Sequence, residues 1–165
     1  MTIIECNEEK FVRDFFPLIV ELWYGNKYNL QNNQHIEHVK RKIHVTFEDF
    51  STALCAYTDN NEPIGFFWYK HDLGLENVRF CGKYAHIISC GLFEKFQRQG
   101  IGTVLLNAVC NSIKERGAEC LYTDTYAGMH DALAFYVKSG FIPVALLPGV
   151  HGLEDDGQVY LYKKV

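Results

Sequence analysis

The stretch Gln97-Arg98-Gln99-Gly100-Ile101-Gly102 is where residue types and spacing first suggest chemistry. It joins the end of an apolar, strand-like run to the start of an amphipathic helical stretch. A helix N-terminus presents unpaired N–H groups and the positive end of a dipole. Two glycines let the backbone approach a ligand closely. Together these make an anion site that suits a pyrophosphate, and Lys95 and Arg98 add positive charge at its rim. Two better-known phosphate loops are excluded. A dinucleotide-binding loop wants a third glycine where Leu105 stands, and no Gly-Lys-Ser/Thr follows. A plain glycine-containing turn before a helix is the simpler alternative.

Other reactive residues promise less. The cysteines are Cys6, Cys55, Cys81, Cys90, Cys110 and Cys120. No Cys-x-x-Cys pair occurs, which argues against a zinc ribbon or a thioredoxin-type site. Four of the six sit in apolar segments and read as small buried hydrophobes. Cys90 and His86 lie about 13 Å apart along one strand, too far for a thiol–imidazole pair. His35-x-x-His38 sets two imidazoles on one helical face, but no third ligand follows at a sensible spacing. No metal is expected.

The elements that must position the loop can be read from periodicity. Residues 2–5 read as a strand. Phe11, Phe15, Leu18, Ile19 and Leu22 recur at helical spacing, with Pro17 expected to kink that helix or open a new turn. Ile36, Val39 and Ile43 mark a second helix. Residues 52–58 and 64–70 form an antiparallel hairpin, and 71–83 are loop-like. Residues 84–93, almost continuously apolar, make a central strand covered on both faces. Ile101, Val104, Leu105, Ala108, Val109 and Ile113 outline an amphipathic helix with Gly117 as its C-cap. A strand at 120–125, a helix at 130–139 closed by Gly140, and strands at 141–147 and 158–163 complete the order β-α-α-β-β-β-α-β-α-β-β. This is an α/β arrangement with parallel pairing in its second half.

The chain has 165 residues, 48% hydrophobic and 22% charged. That suits one soluble globular domain, 1–165. Formal net charge is −4, and the densest basic run is only Lys40-Arg41-Lys42, so nucleic acid is not an expected partner. No run of about 18 apolar residues exists, so no membrane span is expected. Met1-Thr2-Ile3-Ile4-Glu5-Cys6 has no basic-then-apolar leader pattern, and a cytoplasmic location is expected.

A second motif changes the reading of the first. Ala132-Leu133-Ala134-Phe135-Tyr136-Val137-Lys138-Ser139-Gly140-Phe141 resembles the Ala-x-x-x-Tyr-x-x-x-Gly-Phe helix of the GNAT superfamily of acyl-CoA-dependent N-acyltransferases. The 97–102 loop is similar to that family's Gln/Arg-x-x-Gly-x-Gly/Ala phosphate loop. The resemblance implies a twisted mixed sheet of about six to seven strands, splayed open and flanked by about four helices. It implies acetyl-CoA as co-substrate. The N–H groups of Arg98, Gln99, Gly100, Ile101, Gly102 and Thr103 would hold its pyrophosphate, with Gln97 in the same loop. The backbone of Leu92 would pair with the pantetheine arm, and Lys138 would reach the ribose phosphate. Met129 stands where many relatives carry Asn, so that contact is lost or passes to Thr125 or His130.

The resemblance also implies direct transfer of the acetyl group to a primary amine of a small molecule through a ternary complex. The thioester oxygen gains charge, and backbone N–H groups at Leu92 and Phe93 would meet it. Tyr136 matches the tyrosine whose hydroxyl faces the cofactor sulfur; its plainer role is a core aromatic. His86 is the first choice of base, since imidazole titrates near neutrality; its plainer role is a satisfied strand histidine. Glu94, Glu21 and Asp124 stand in reserve. Trp23, Tyr24 and Tyr28 either line the acceptor pocket or pack as core. Two alternatives stay open: a domain that binds acyl-CoA with little catalysis, and an acetyltransferase of protein or peptide amines. A homodimer is a family-level expectation.

Overall fold

Two asparagines start the first two helices. The Asn7 side chain accepts from the Lys10 N–H at 3.0 Å, and Asn32 accepts from the Gln34 N–H at 2.9 Å. Each satisfies one of the N–H groups a helix start leaves unpaired. The resulting α1 (Glu8–Tyr24) and α2 (Asn33–Glu48) follow β1 (Thr2–Cys6). Then come β2 (Ser51–Tyr57), β3 (Pro63–His71), β4 (Tyr84–Leu92), a single 3₁₀ turn (Glu94–Phe96) and α3 (Ile101–Glu115). β5 (Cys120–Tyr126), α4 (His130–Lys138), β6 (Ile142–Leu147) and β7 (Gln158–Lys164) close the chain. This computed structural model describes residues 1–25, 31–71, 83–149 and 156–165. The element order is the one read from periodicity. Expected loop residues 72–82 lie outside the described residues.

The seven strands form one mixed sheet in the order β1-β2-β3-β4-β5-β7-β6. β1–β2, β2–β3, β5–β7 and β6–β7 are antiparallel, while β4–β5 is parallel. The chain divides into two compact units, Met1–Lys70 with Ile88–Val109, and His71–Ile87 with Cys110–Val165. β4 and α3 each run from one unit into the other.

The first unit is built on rings. Phe11 lies 4.8 Å from Phe66 and 5.0 Å from Trp68, and Phe47 lies 4.7 Å from Trp68. Phe11, Phe15, Phe66 and Trp68 are fully buried, and each such side chain is worth roughly 2–3 kcal/mol of transfer free energy. At the edge of this core the Tyr57 hydroxyl donates to Asp14 at 2.8 Å, and Lys10 and Arg13 also donate to that carboxylate. Arg13 first, then Lys10 and Tyr57, hold the Asp14 carboxyl down at about 2.

The second unit packs Tyr122 against Tyr84 (5.6 Å) and Tyr162 (5.1 Å). Gly117 and Gly140 end α3 and α4 as expected. Both have left-handed φ, +84° and +87°. At α4 the Gly140 N–H donates to the Val137 carbonyl and the Phe141 N–H to the Tyr136 carbonyl, each at 3.0 Å. That is the two-bond Schellman closure, and its usual apolar contact is present as Tyr136 against Phe141, 5.1 Å edge-on.

Three expectations need correction. α1 continues through Pro17 as one helix, so Pro17 opens no new first turn there. On α3, Val104 is 46% exposed and Leu106 is buried instead; the buried stripe is set by what packs on the helix, and it is rotated from the one the apolar pattern suggested. On β4 only Ala85 and Ile87 are buried, and residues 88–92 are half-buried. An apolar run marks a central strand, but coverage depends on the layers above and below it.

Two predictions follow from these contacts. A Cβ at Gly65 would come within 2.4 Å of the Gly91 carbonyl oxygen and 2.8 Å of Leu92 Cα. Gly65→Ala should therefore cost about 1–3 kcal/mol, read as a fall in Tm by calorimetry; an unchanged Tm would contradict the close approach. Asp14 titrates lower folded than unfolded, so its stabilisation is present above about pH 4 and lost as pH falls toward about 2. Acid unfolding of Asp14→Asn should lack that component.

Candidate active site

The 97–102 loop belongs to the first unit, and its donors divide into engaged and open. The Phe93 N–H donates to the Ile64 carbonyl on β3 at 3.0 Å. The Gln97 N–H donates to the Glu94 carbonyl at 3.0 Å, and its side chain donates to the Leu92 carbonyl at 3.0 Å. The Gln99 side chain donates to the Lys95 carbonyl at 2.8 Å, and Lys95 pairs with Glu62. The Thr103 and Val104 N–H groups close onto the Gly100 carbonyl. Among the described residues, no backbone acceptor takes the N–H groups of Arg98, Gln99, Gly100, Ile101 or Gly102.

Arg98 and Gly100 both have left-handed φ, +59° and +80°. Left-handed residues in such a turn aim successive N–H groups into one concavity, a cradle for an anion. A Cβ at Gly100 would meet nothing within 4 Å, so the space beside it is open. The cradle therefore fits a pyrophosphate at the start of a 15-residue helix. Three expected donors change role. Phe93 spends its N–H on β3, Gln97 braces the turn internally, and Thr103 N–H turns to Gly100.

Also in this unit, the Trp23 indole N–H donates to the Ser89 hydroxyl of β4 at 3.3 Å. Trp23 stacks on Trp68 at 6.0 Å and 13°, meets Tyr24 edge-on, and carries the Lys42 ammonium 4.7 Å over its ring. Trp23 and Tyr24 are half-buried and pack against the core. Tyr28 lies outside the described residues. Ser89 was not singled out from sequence, since one serine in a strand carries no signal. Reserve bases Glu21 and Glu94 are both exposed.

The second unit holds the other candidates. His86 pairs with Tyr122 across the parallel β4–β5 ladder, and Asp124, two residues on, returns to the same face. His86 Nε2 lies 2.9 Å from Asp124 Oδ1, with the side chains 15% and 21% exposed. The Gln158 side-chain amide donates to Asp124 Oδ2, and the Tyr160 hydroxyl donates to Gln158 Oε1 at 3.5 Å. Burial first, then the Asp124 charge, pushes the Tyr160 phenol above its ordinary range. Asp124 is thus a hydrogen-bond partner of His86, and Gln158 is an addition. Period-two alternation on adjacent strands was the signal available for Asp124; Gln158 needed the β5–β7 register.

Tyr136 is buried, 4% exposed, and set by the α4 closure. The Lys163 ammonium caps the same helix through the Ser139 carbonyl at 2.7 Å. Lys138 is exposed on the last turn of α4. The Thr125 hydroxyl donates to the Met129 sulfur at 3.6 Å. Cys90 is half-buried. No trio of His, Cys, Asp or Glu is placed to hold a metal among the described residues, and no helix among them is long and apolar enough to cross a membrane.

Residues 14–141 match the acetyltransferase (GNAT) family, and the chain belongs to it. It is similar to an N-alpha-acetyltransferase of Saccharolobus solfataricus, 26% identical over 125 residues, covering 73% of this chain and 70% of that one. An N-alpha-acetyltransferase of Sulfurisphaera tokodaii is 28% identical over 130 residues, covering 76% and 72%. Among solved structures, aminoglycoside 6'-acetyltransferase type Ii shares the fold with a TM-score of 0.73 at 20% identity, covering 99% of this chain and 97% of that one. An aminoglycoside 6'-N-acetyltransferase complexed with coenzyme A gives 0.70 at 17% identity, covering 99% and 97%. The protein is an acetyl-CoA-dependent acetyltransferase with the fold of its family.

The open cradle yields a test. Gly100→Val puts a β-branched residue at φ +80°, a conformation such residues avoid. Acetyl-CoA affinity by calorimetry should fall at least about tenfold with the fold retained. Unchanged affinity would remove this loop from the cofactor site.

Proposed function

We propose that residues 1–165 act as one domain that passes the acetyl group of acetyl-CoA directly to the primary amine of a small molecule in a ternary complex. The observation that carries this reading is His86 hydrogen-bonded to Asp124 at 2.9 Å. A transferase of this class needs a group to take the amine's proton, and a histidine held by a carboxylate is equipped for it.

Acetyl-CoA supplies an activated thioester, and the chain supplies placement and proton movement. The N–H groups of Arg98 to Gly102 hold the pyrophosphate, and Lys138 meets the ribose phosphate. Phe93 points its N–H to β3, so by the alternation of an extended strand the Leu92 N–H points away from β3. The Leu92 N–H is then the donor left for the acyl-pantetheine arm or the thioester oxygen. Tyr136 hydrogen-bonds the departing sulfur, because a phenol keeps its proton at a pH where a thiol begins to lose it. Trp23 and Tyr24 border the acceptor. Among neutral amines and ammonium ions only the neutral form attacks, so His86 takes that proton.

A second reading has its own support. Relatives at 26% and 28% identity are named N-alpha-acetyltransferase, which favours the α-amine of a peptide as acceptor. Free-thiol release from acetyl-CoA separates the two. The panel holds arylalkylamines, polyamines, aminoglycosides, amino acids and short peptides, at about pH 7 and about pH 8.5. Release with one class of small amine is the expected result, and release with peptides alone would replace it by the second reading. Tyr136→Phe should lower turnover at least about tenfold with acetyl-CoA affinity nearly unchanged; unchanged turnover would remove Tyr136 from proton transfer.

A further inference from the structure

His86, Asp124, Gln158 and Tyr160 come from three adjacent strands and share one sheet face. Asp124 pairs with Tyr160 and Tyr126 with Gln158 across β5–β7, and His86 stands in register with Tyr122 across β4–β5. Directly opposed residues share a face, as do residues two apart on a strand.

Each hydrogen bond in this chain has a dictated direction. An ionised carboxylate only accepts. The contact of 2.9 Å between His86 Nε2 and Asp124 Oδ1 therefore places a hydrogen on Nε2. The other oxygen, Oδ2, takes the Gln158 amide N–H. Gln158 Oε1 only accepts, so Tyr160 donates to it. A neutral imidazole carries one N–H, and with that hydrogen on Nε2 the nitrogen left bare is Nδ1.

We propose that Asp124 is a positioning residue: it holds His86 in the Nε2–H tautomer, so that Nδ1 is the atom that takes the proton from the acceptor amine, and Gln158 with Tyr160 braces Asp124 for that task. The inference rests on the reading of His86 as the base. In the step, an N–H bond of the substrate ammonium breaks and its electron pair stays on the amine nitrogen for attack. An Nδ1–H bond forms. The imidazolium produced has the Asp124 carboxylate beside its other nitrogen, so the new charge is met where it develops. Water removes the proton afterwards. Asp124 touches neither amine nor thioester. With both its oxygens already engaged, it is less suited to be the base itself.

The brace also dictates what a change at Asp124 does. In Asp124→Asn, the Gln158 N–H still requires an oxygen opposite it, which turns the new amide NH₂ toward His86 Nε2. Nε2 must then accept, and the ring hydrogen moves to Nδ1, the nitrogen needed as base.

Two readouts test this. Long-range ¹H–¹⁵N spectra of the full-length protein, with the His86 ring assigned by difference from His86→Gln, report the tautomer at about pH 8. The wild-type ring should show protonated Nε2 and bare Nδ1, and Asp124→Asn should show the reverse. Thiol release with the panel amine of highest turnover should give a kcat at least about tenfold lower in Asp124→Asn, with KM for acetyl-CoA unchanged. A wild-type ring protonated at Nδ1 overturns the inference without any variant having to fold. If His86→Gln abolishes turnover while Asp124→Asn leaves tautomer and kcat as they were, the inference fails and the base reading stands. If His86→Gln turns over like the wild type, the base reading fails, and this inference with it.

Discussion

The period-two alternation of β4 is the constraint on which the rest depends. Along an extended strand, successive side chains change face and successive peptide groups change edge. His86 is thereby committed to the face on which β5 presents Asp124, while Phe93 must send its N–H to Ile64 on β3. Leu92, one residue earlier, faces the other edge, where the Gln97 side chain takes its carbonyl. A slip of one residue in β4 would exchange all of these assignments. Gly65 guards against such a slip, because β3 and β4 approach there more closely than any side chain permits, while Gly91 leaves room for the Leu22 side chain of α1.

Around that strand the chain uses two different devices to prepare chemistry. The loop after β4 works by withholding partners. Its braces, Gln97 and Gln99, satisfy carbonyls of the turn, while the N–H groups from Arg98 to Gly102 are left open. Open amides cost free energy until an anion or water takes them, and the left-handed, non-glycine Arg98 adds strain of its own. The sheet face of His86 works the opposite way. Every polar atom of Asp124 and the Gln158 amide is engaged, and a satisfied network holds one geometry. In the proposed reading, binding is prepared by unmet donors and proton transfer by a fully met carboxylate.

Tyr136 shows how a short helix can hold a side chain firmly. α4 has only nine residues, too few to be stable by itself. It is closed by the Gly140 turn, by the Tyr136–Phe141 ring contact and by Lys163 on the Ser139 carbonyl. Of the motif read from sequence, Tyr136, Gly140 and Phe141 all help to close the helix, and Tyr136 is also the residue proposed for the reaction.

The order of elements, the glycine caps, the antiparallel hairpin and the glycine-containing turn before α3 were legible in the sequence, because each follows from local rules of spacing, capping and turn geometry. The buried stripe of α3 and the half-covered end of β4 were not, because packing partners decide them. The same division holds at the site. Gln97, Gly100, His86 and Tyr136 stood out by type and spacing, yet the jobs of Gln97 and Phe93 changed once their hydrogen bonds were known. Asp124 was visible only as one carboxylate among three, and Gln158 and Ser89 were not visible. Sequence determined which residues can donate, accept or carry a proton. Only the tertiary structure decided which donors are already spent, since that depends on strand register between residues as distant as His86, Asp124 and Gln158, and no local pattern encodes it.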